Sequence, residues 1–203
     1  MIAIVNYGIG NLDSVSRALS KCGAEAVVTS RAEDIESAQG IILPGVGSFG
    51  EAMQNLREGG LLPVLHRRVM EAHRPTLGIC LGFQMFTRHS EEGDAEGLGW
   101  IDGATRRFRV PEKIPHMGWN DLSVRKASPL LDDVSPSACF YFAHSYCVVC
   151  HEAEAILATS EYGGEFVSAV AKNNLFGVQF HPEKSHAGGL RLLSNFVRLV
   201  RHA

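Results

Sequence analysis

Apolar and polar positions fall into two regimes along the chain. In the first, short aliphatic runs alternate with stretches of helical period. Ile2-Ala3-Ile4-Val5 is apolar at every position, the pattern of a strand covered on both faces. Leu12, Val15, Leu19 and Cys22 then recur at helical spacing, and Gly23 supplies the stop. Ala26-Val27-Val28 and Ile41-Ile42-Leu43 predict two more strands. A helical stretch from Glu51 to about Ala72 follows, broken near Gly59-Gly60 and Pro63, and Thr76-Leu77-Gly78-Ile79 predicts the next buried strand. Strands alternating with helices imply right-handed βαβ units and a parallel sheet with helices on both faces.

After Gly97 helical periodicity fades. Short strands are predicted at 140–149, 155–159, 166–171 and 175–180, punctuated by Gly, Pro and Asp-Asp. They read as an antiparallel extension of the same sheet and not as a second domain. A closing helix carries an apolar stripe of Leu190, Leu193, Val197 and Val200, with Arg191, Arg198 and Arg201 turned outward. The fold class is therefore α/β: a mixed, mainly parallel central sheet flanked by helices, as one domain over residues 1–203.

Composition removes several function classes. The chain has 203 residues, 45% of them apolar, which suits a full-sized core and excludes disorder. Nineteen Lys+Arg against 22 Asp+Glu give a net charge of -3, without the basic footprint that nucleic acid requires. No window approaches the roughly 18 apolar residues of a membrane span, and the N-terminus reads as neither a signal peptide nor an anchor. Cys22, Cys80, Cys139, Cys147 and Cys150 are an odd number of thiols in a chain too large to need staples. A reducing cytoplasm is expected, with cysteines serving as filler, ligands or nucleophiles.

One of them stands out. Gly78-Ile79-Cys80-Leu81-Gly82 follows a strand and precedes a helix predicted from Phe83 to about His89. Strand, tight turn and helix with a nucleophile at the apex is the nucleophile-elbow arrangement, with Cys in place of Ser. Small neighbours let the chain cross itself there. The bland alternative is a buried structural cysteine. A thiol near pKa ~8.5 needs a base. Of nine histidines, His66, His73, His89, His151 and His202 sit in polar surroundings and read as surface residues. His181 instead lies where a strand runs into the turn His181-Pro182-Glu183, and Glu183 is placed to orient it. Cys80, His181 and Glu183 together make a candidate Cys–His–Glu triad.

Two other patterns carry less. Gly45-Val46-Gly47-Ser48-Phe49-Gly50 satisfies the dinucleotide fingerprint GxGxxG, but no acidic residue ends a second strand about 20 positions on. Glycine-turn N–H groups at a sheet edge suit an oxyanion hole equally well. Cys147-Val148-Val149-Cys150-His151 has haem-attachment spacing but lies in a strand pattern, and as a zinc half-site it lacks a second ligand pair. No metal site is assigned.

Five motifs taken in order resemble the class I (triad) glutamine amidotransferases over essentially the whole chain: 6–12, 44–47, 78–84, the pair 115–120 and 141–146, and 180–184. The pair is most similar to glutaminase subunits of histidine biosynthesis, whereas Phe83 and Met85-Phe86 depart from the pattern expected after the nucleophile. The resemblance implies Cys80 as nucleophile, His181 as general acid/base and Glu183 as its orienter. It implies that Val46, Gly47 and Leu81 form the oxyanion hole, with the Val46–Gly47 peptide reorienting first. Gln84 and Glu92, with the Ser145-Tyr146 backbone, would bind substrate glutamine. Asn11, Trp119, Tyr141 and Lys184 would face an obligate partner, a (β/α)8-barrel cyclase that receives the ammonia and makes imidazole glycerol phosphate. No metal or organic cofactor is implied. A paralogue feeding ammonia to a different synthase, a stand-alone γ-glutamyl hydrolase and a non-enzymatic binding module are the alternatives.

Overall fold

The computed structural model describes residues 1–203. The first half comprises β1 (Ile2–Val5), α1 (Leu12–Lys21), β2 (Ala26–Thr29), α2 (Ala32–Ser37), β3 (Gly40–Leu43), α3 (Phe49–Glu58) and α4 (Leu62–His66). A π-helical turn (Arg67–Glu71), β4 (Thr76–Ile79) and α5 (Leu81–Gln84) complete it. The second half comprises β5 (His89–Ser90), β6 (Ala95–Glu96), β7 (Gly103–Arg107), β8 (His116–Asn120), β9 (Ser123–Val124), β10 (Phe140–His144), β11 (Tyr146–Cys150), β12 (Ile156–Glu161), β13 (Glu165–Lys172), β14 (Leu175–Val178) and α6 (His186–Arg201).

The main sheet has the order β2-β1-β3-β4-β14-β13-β11-β7-β5-β6, with β12 and β9 branching from β13. From β2 to β14 every pairing is parallel, and β14 then pairs antiparallel with β13. The mixed α/β sheet expected from the sequence is thus the observed one. Side chains alternate across it. Ile2 and Ile4 join the core under α1 and α6, with Leu19, Phe196 and Val197, while Ala3 and Val5 join the opposite core, with Ile35, Phe49 and Leu56. That double burial is why β1 reads as a continuous apolar run.

Three expectations need correction. The predicted strand 140–149 is two strands in different sheets. Phe140–His144 pairs with His116–Asn120 in a separate two-stranded ribbon, and Tyr146–Cys150 joins the main sheet beside Gly103–Arg107. The helix predicted for 83–89 is only Leu81–Gln84. Its continuation is pre-empted because the carbonyls of Met85, Phe86 and Thr87 accept from the amides of Leu98, Trp100 and Gly99. The last strand stops at Val178, short of Phe180. Cys147 and Cys150, three apart on one strand, point to opposite faces, which rules out a shared ligand role.

Candidate active site

β4 delivers Cys80 to the C-terminal edge of the parallel sheet, between β3 and β14. There Cys80 has φ 51° and ψ -106°, a region L-residues seldom occupy, and its amide is held by the Val178 carbonyl at 2.8 Å. Two glycines make this posture possible. A Cβ on Gly78 would lie 2.7 Å from the Phe83 backbone, and one on Gly82 would lie 1.9 Å from the Leu43 carbonyl oxygen. The elbow forms only where the turn presses directly on its neighbouring strand.

β14 brings the second group. Beyond Val178 the chain leaves the sheet, and His181 is fixed by its amide on the Tyr141 carbonyl at 2.8 Å. The short turn Pro182–Lys184 returns Glu183, whose Oε1 meets His181 Nδ1 at 2.9 Å, both side chains being almost fully buried. Glu183 Oε2 has no protein partner. Burial pulls the His181 pKa down. The negative charge and hydrogen bonding of the nearby Cys80 sulfur, together with Glu183, outweigh it and push the imidazole up to about 10.

Cys80 opens onto a cavity of about 240 Å³. Val46, Gly47, Leu81, Gln84, Glu92, Ser145 and Tyr146 all line it, the full set expected to surround a bound glutamine and its oxyanion. Gly47 has φ +111°, and the carbonyl of Pro44, leading into this segment, accepts from the buried Tyr7 hydroxyl. Burial first, then the charge at Cys80, raises the Tyr7 phenol pKa and keeps it a donor. Glu92 Oε2 accepts from the Phe49 amide at 2.9 Å, which anchors it at the first turn of α3. Gln84 donates to the Tyr146 carbonyl at 2.8 Å and to Gln179 Oε1 at 3.2 Å. A cavity of about 480 Å³ beside Leu122, Val124, Leu131 and Phe140 is larger, but no cysteine or histidine lines it.

The remaining expected residues, Asn11, Trp119, Tyr141 and Lys184, lie outside the lining of this cavity. Trp119 and Tyr141 are register partners on the outward face of the β8–β10 ribbon, and Lys184 Nζ lies 5.7 Å from the Tyr141 ring centroid. Trp119 stacks on His186 at 4.8 Å and remains half exposed, as does the neighbouring Met117. Asn11 is the residue before α1, without a capping side-chain bond.

Sequence reasoning missed the inward face of that ribbon. His116 and His144 are register partners there, buried, with His116 Nδ1 3.2 Å from His144 Nε2 and His144 Nδ1 2.8 Å from the Tyr146 carbonyl. A carbonyl only accepts, so His144 Nδ1 carries its proton, Nε2 accepts, and His116 donates. Burial depresses both rings, His116 to about 4 and His144 to about 3, so the pair is neutral. The signal available was the motif pair 115–120 and 141–146, which contains both histidines without marking them as buried partners.

A pH dependence follows. Between the ordinary value near 6.5 and these lowered values, the unfolded chain binds protons that the folded rings refuse. The stability they contribute is complete above about 6.5 and is lost as pH falls towards 4, at up to about 1.4 kcal/mol per pH unit for each ring. Urea denaturation between pH 7 and 4.5 should show this slope, and His116→Phe should flatten it. Parallel curves for the two proteins would refute the assignment.

Comparisons with known proteins give the family of the chain. The family model Glutamine amidotransferase class-I matches residues 3–200. The chain therefore belongs to the class I glutamine amidotransferase family and is a glutamine amidotransferase. Among its relatives, an imidazole glycerol phosphate synthase subunit HisH 2 from Methanococcus maripaludis is 47% identical over 98% of this chain and 99% of that one. The protein of the same name from Pseudomonas aeruginosa is 48% identical over 98% and 100%. A solved glutamine amidotransferase superposes with TM-score 0.76 over 99% of this chain and 100% of that one, at 21% identity. The structure of PurLQS from Thermotoga maritima gives 0.74 over 98% and 97%, at 20% identity. These two speak to the fold.

Proposed function

We propose that this chain is the glutaminase subunit of an imidazole glycerol phosphate synthase, hydrolysing glutamine and passing the ammonia to a (β/α)8-barrel cyclase subunit in the cytoplasm. The near full-length likeness to HisH subunits carries the reading, supported by a cavity whose walls are the residues a glutamine site needs.

The chemistry follows from the arrangement of Cys80, His181 and Glu183. With the sulfur as thiolate and His181 protonated, Cys80 attacks the carboxamide carbon, and the amide N–H groups of Gly47 and Leu81 receive the oxyanion. His181 gives its proton to the leaving nitrogen, and ammonia departs from a γ-glutamyl thioester. Acylation removes the sulfur's charge, and with it two of the causes that raise His181. Having given up its proton, the imidazole is neutral, with burial opposing its recharging, and it can deprotonate the water that releases glutamate. One histidine thus serves as acid and then as base because its neighbour's charge changes between the half-reactions.

Ammonia in neutral water is protonated and loses its nucleophilic lone pair, so the acceptor must lie close by. The apolar, half-exposed Met117 and Val46 at the cavity mouth, continuous with Trp119, suit a partner docked over it. Trp119→Ala should weaken cyclase binding by about 2 kcal/mol, roughly 30-fold in Kd, by titration calorimetry; an unchanged Kd would remove Trp119 from the interface. The reading itself is tested by mixing the chain with the cyclase subunit of its own organism. Glutamine hydrolysis should rise about tenfold or more once the cyclase binds its phosphorylated ribonucleotide ligand. Full activity without a partner would favour a stand-alone hydrolase.

A further inference from the structure

Gln179 lies between the strand β14 and His181, and takes no part in the scheme above. Its side chain is buried at 0% exposure, where an unpaired amide would be costly. Nε2 lies 3.6 Å from Cys80 Sγ, and Oε1 accepts from Gln84 Nε2 at 3.2 Å.

The neighbours decide which end of this amide faces the sulfur. The Tyr146 carbonyl can only accept, so Gln84 must turn its NH2 group towards it, at 2.8 Å. The same nitrogen faces Gln179, which must therefore present its oxygen there and its own NH2 to the sulfur. Reversed, Gln179 would set NH2 against NH2 and leave a carbonyl oxygen facing the sulfur. The orientation is thus fixed from outside, by a chain running from His144 through Tyr146 and Gln84 to Cys80.

We propose that Gln179 is a dedicated N–H donor to the Cys80 sulfur, holding it as thiolate and coupling it to Gln84 in the wall of the substrate cavity. The inference rests on the reading of Cys80 as nucleophile. A hydrogen bond to the charged form of an acid favours that form. A neutral amide supplies it without drawing on the proton that His181 must deliver. Because Gln84 lines the cavity and bonds Gln179, a ligand that moves Gln84 alters the donor on the sulfur.

The test is the pH dependence of Cys80 alkylation by iodoacetamide on the full chain, followed by peptide mapping to separate it from the exposed Cys139. Gln179→Met keeps length and lacks the donor. Gln179→Glu keeps the acceptor for Gln84 and replaces the donor with an oxygen. Both should move the alkylation midpoint up by about one pH unit, roughly a tenfold loss of rate below the midpoint, with the Glu variant shifted further. In the assembled complex, Gln179→Glu should lower kcat for glutamine hydrolysis about tenfold, with a smaller change in KM. A low midpoint in the unaltered chain that neither variant moves overturns the role of Gln179 alone. An ordinary thiol midpoint in the unaltered chain overturns the proposal that Gln179 holds a thiolate, while the nucleophile reading itself falls only if Cys80→Ala retains glutamine-dependent activity. Should the Met variant fail to fold, the Glu variant decides.

Discussion

Replacing Cys80 by alanine should abolish glutamine-dependent nitrogen transfer, by about 10⁴-fold or more, while ammonia-dependent synthesis by the complex with the cyclase continues. The size follows from the route. Without sulfur there is no thioester, and the remaining oxyanion donors and binding contacts accelerate only direct attack by water. The sparing of ammonia-dependent synthesis follows because the sulfur faces a cavity on this chain, whereas on the proposed reading the acceptor chemistry belongs to the cyclase. Cys80 also contributes little packing that alanine would not, being a small side chain at a rim, so the complex should still assemble. Steady-state assays with glutamine and with ammonium salts, side by side, separate the outcomes. Retained glutamine use would displace the nucleophile to another residue; loss of both activities would mean that assembly had failed.

Gly82→Ala should be among the most damaging single methyls in the molecule. The added Cβ would stand 1.9 Å from the Leu43 carbonyl oxygen and 2.6 Å from its carbon, both backbone atoms of the central strand β3. No flexible side chain can yield, so the elbow and the strand must part, which removes close packing over several residues. A loss of about 3 kcal/mol or more is expected, or roughly 6–12 °C in Tm for a chain of this size. Gly60→Ala is the control: nothing lies within 4 Å of its Cβ, and only the left-handed φ of +65° is penalised, at about 1 kcal/mol. Thermal unfolding of the two variants measures the difference directly. Equal losses would mean that the elbow tolerates separation from β3.

How far the sequence carried these conclusions varied from element to element. Strands β1, β3 and β4 were legible because double burial writes a continuous apolar run. α1 and α6 were legible because one buried stripe repeats at helical period. α2 was not, since its six residues bury only Ile35 and leave no period to detect. The break at Ser145 was invisible because Phe140–His144 and Tyr146–Cys150 are both apolar, and they part only in choosing different partners. The end of α5 depends on amide groups from residues 98–100, a contact no local pattern encodes.

The site divides in the same way. Cys80, His181 and Glu183 were legible because their chemistry needs particular residue types at turns next to strands. The cavity-lining set Gly47, Gln84, Glu92, Ser145 and Tyr146 came from resemblance. What neither route named was the buried amide and imidazole network of Gln179, His144 and His116. Its members lie far apart in the chain and are chosen by register, with His116 opposite His144 across a ribbon that itself went unpredicted.

The most direct test uses a glutamine analogue bearing an electrophilic carbon in place of the amide, applied to the assembled complex and followed by peptide mass mapping. Of the chain's free cysteines, Cys80 is the buried one and Cys139 the exposed one. Labelling should occur at Cys80 alone, be blocked by glutamine, and disappear in His181→Ala. Label on Cys139 with Cys80 untouched, or Cys80 labelling indifferent to both glutamine and His181, would contradict the account.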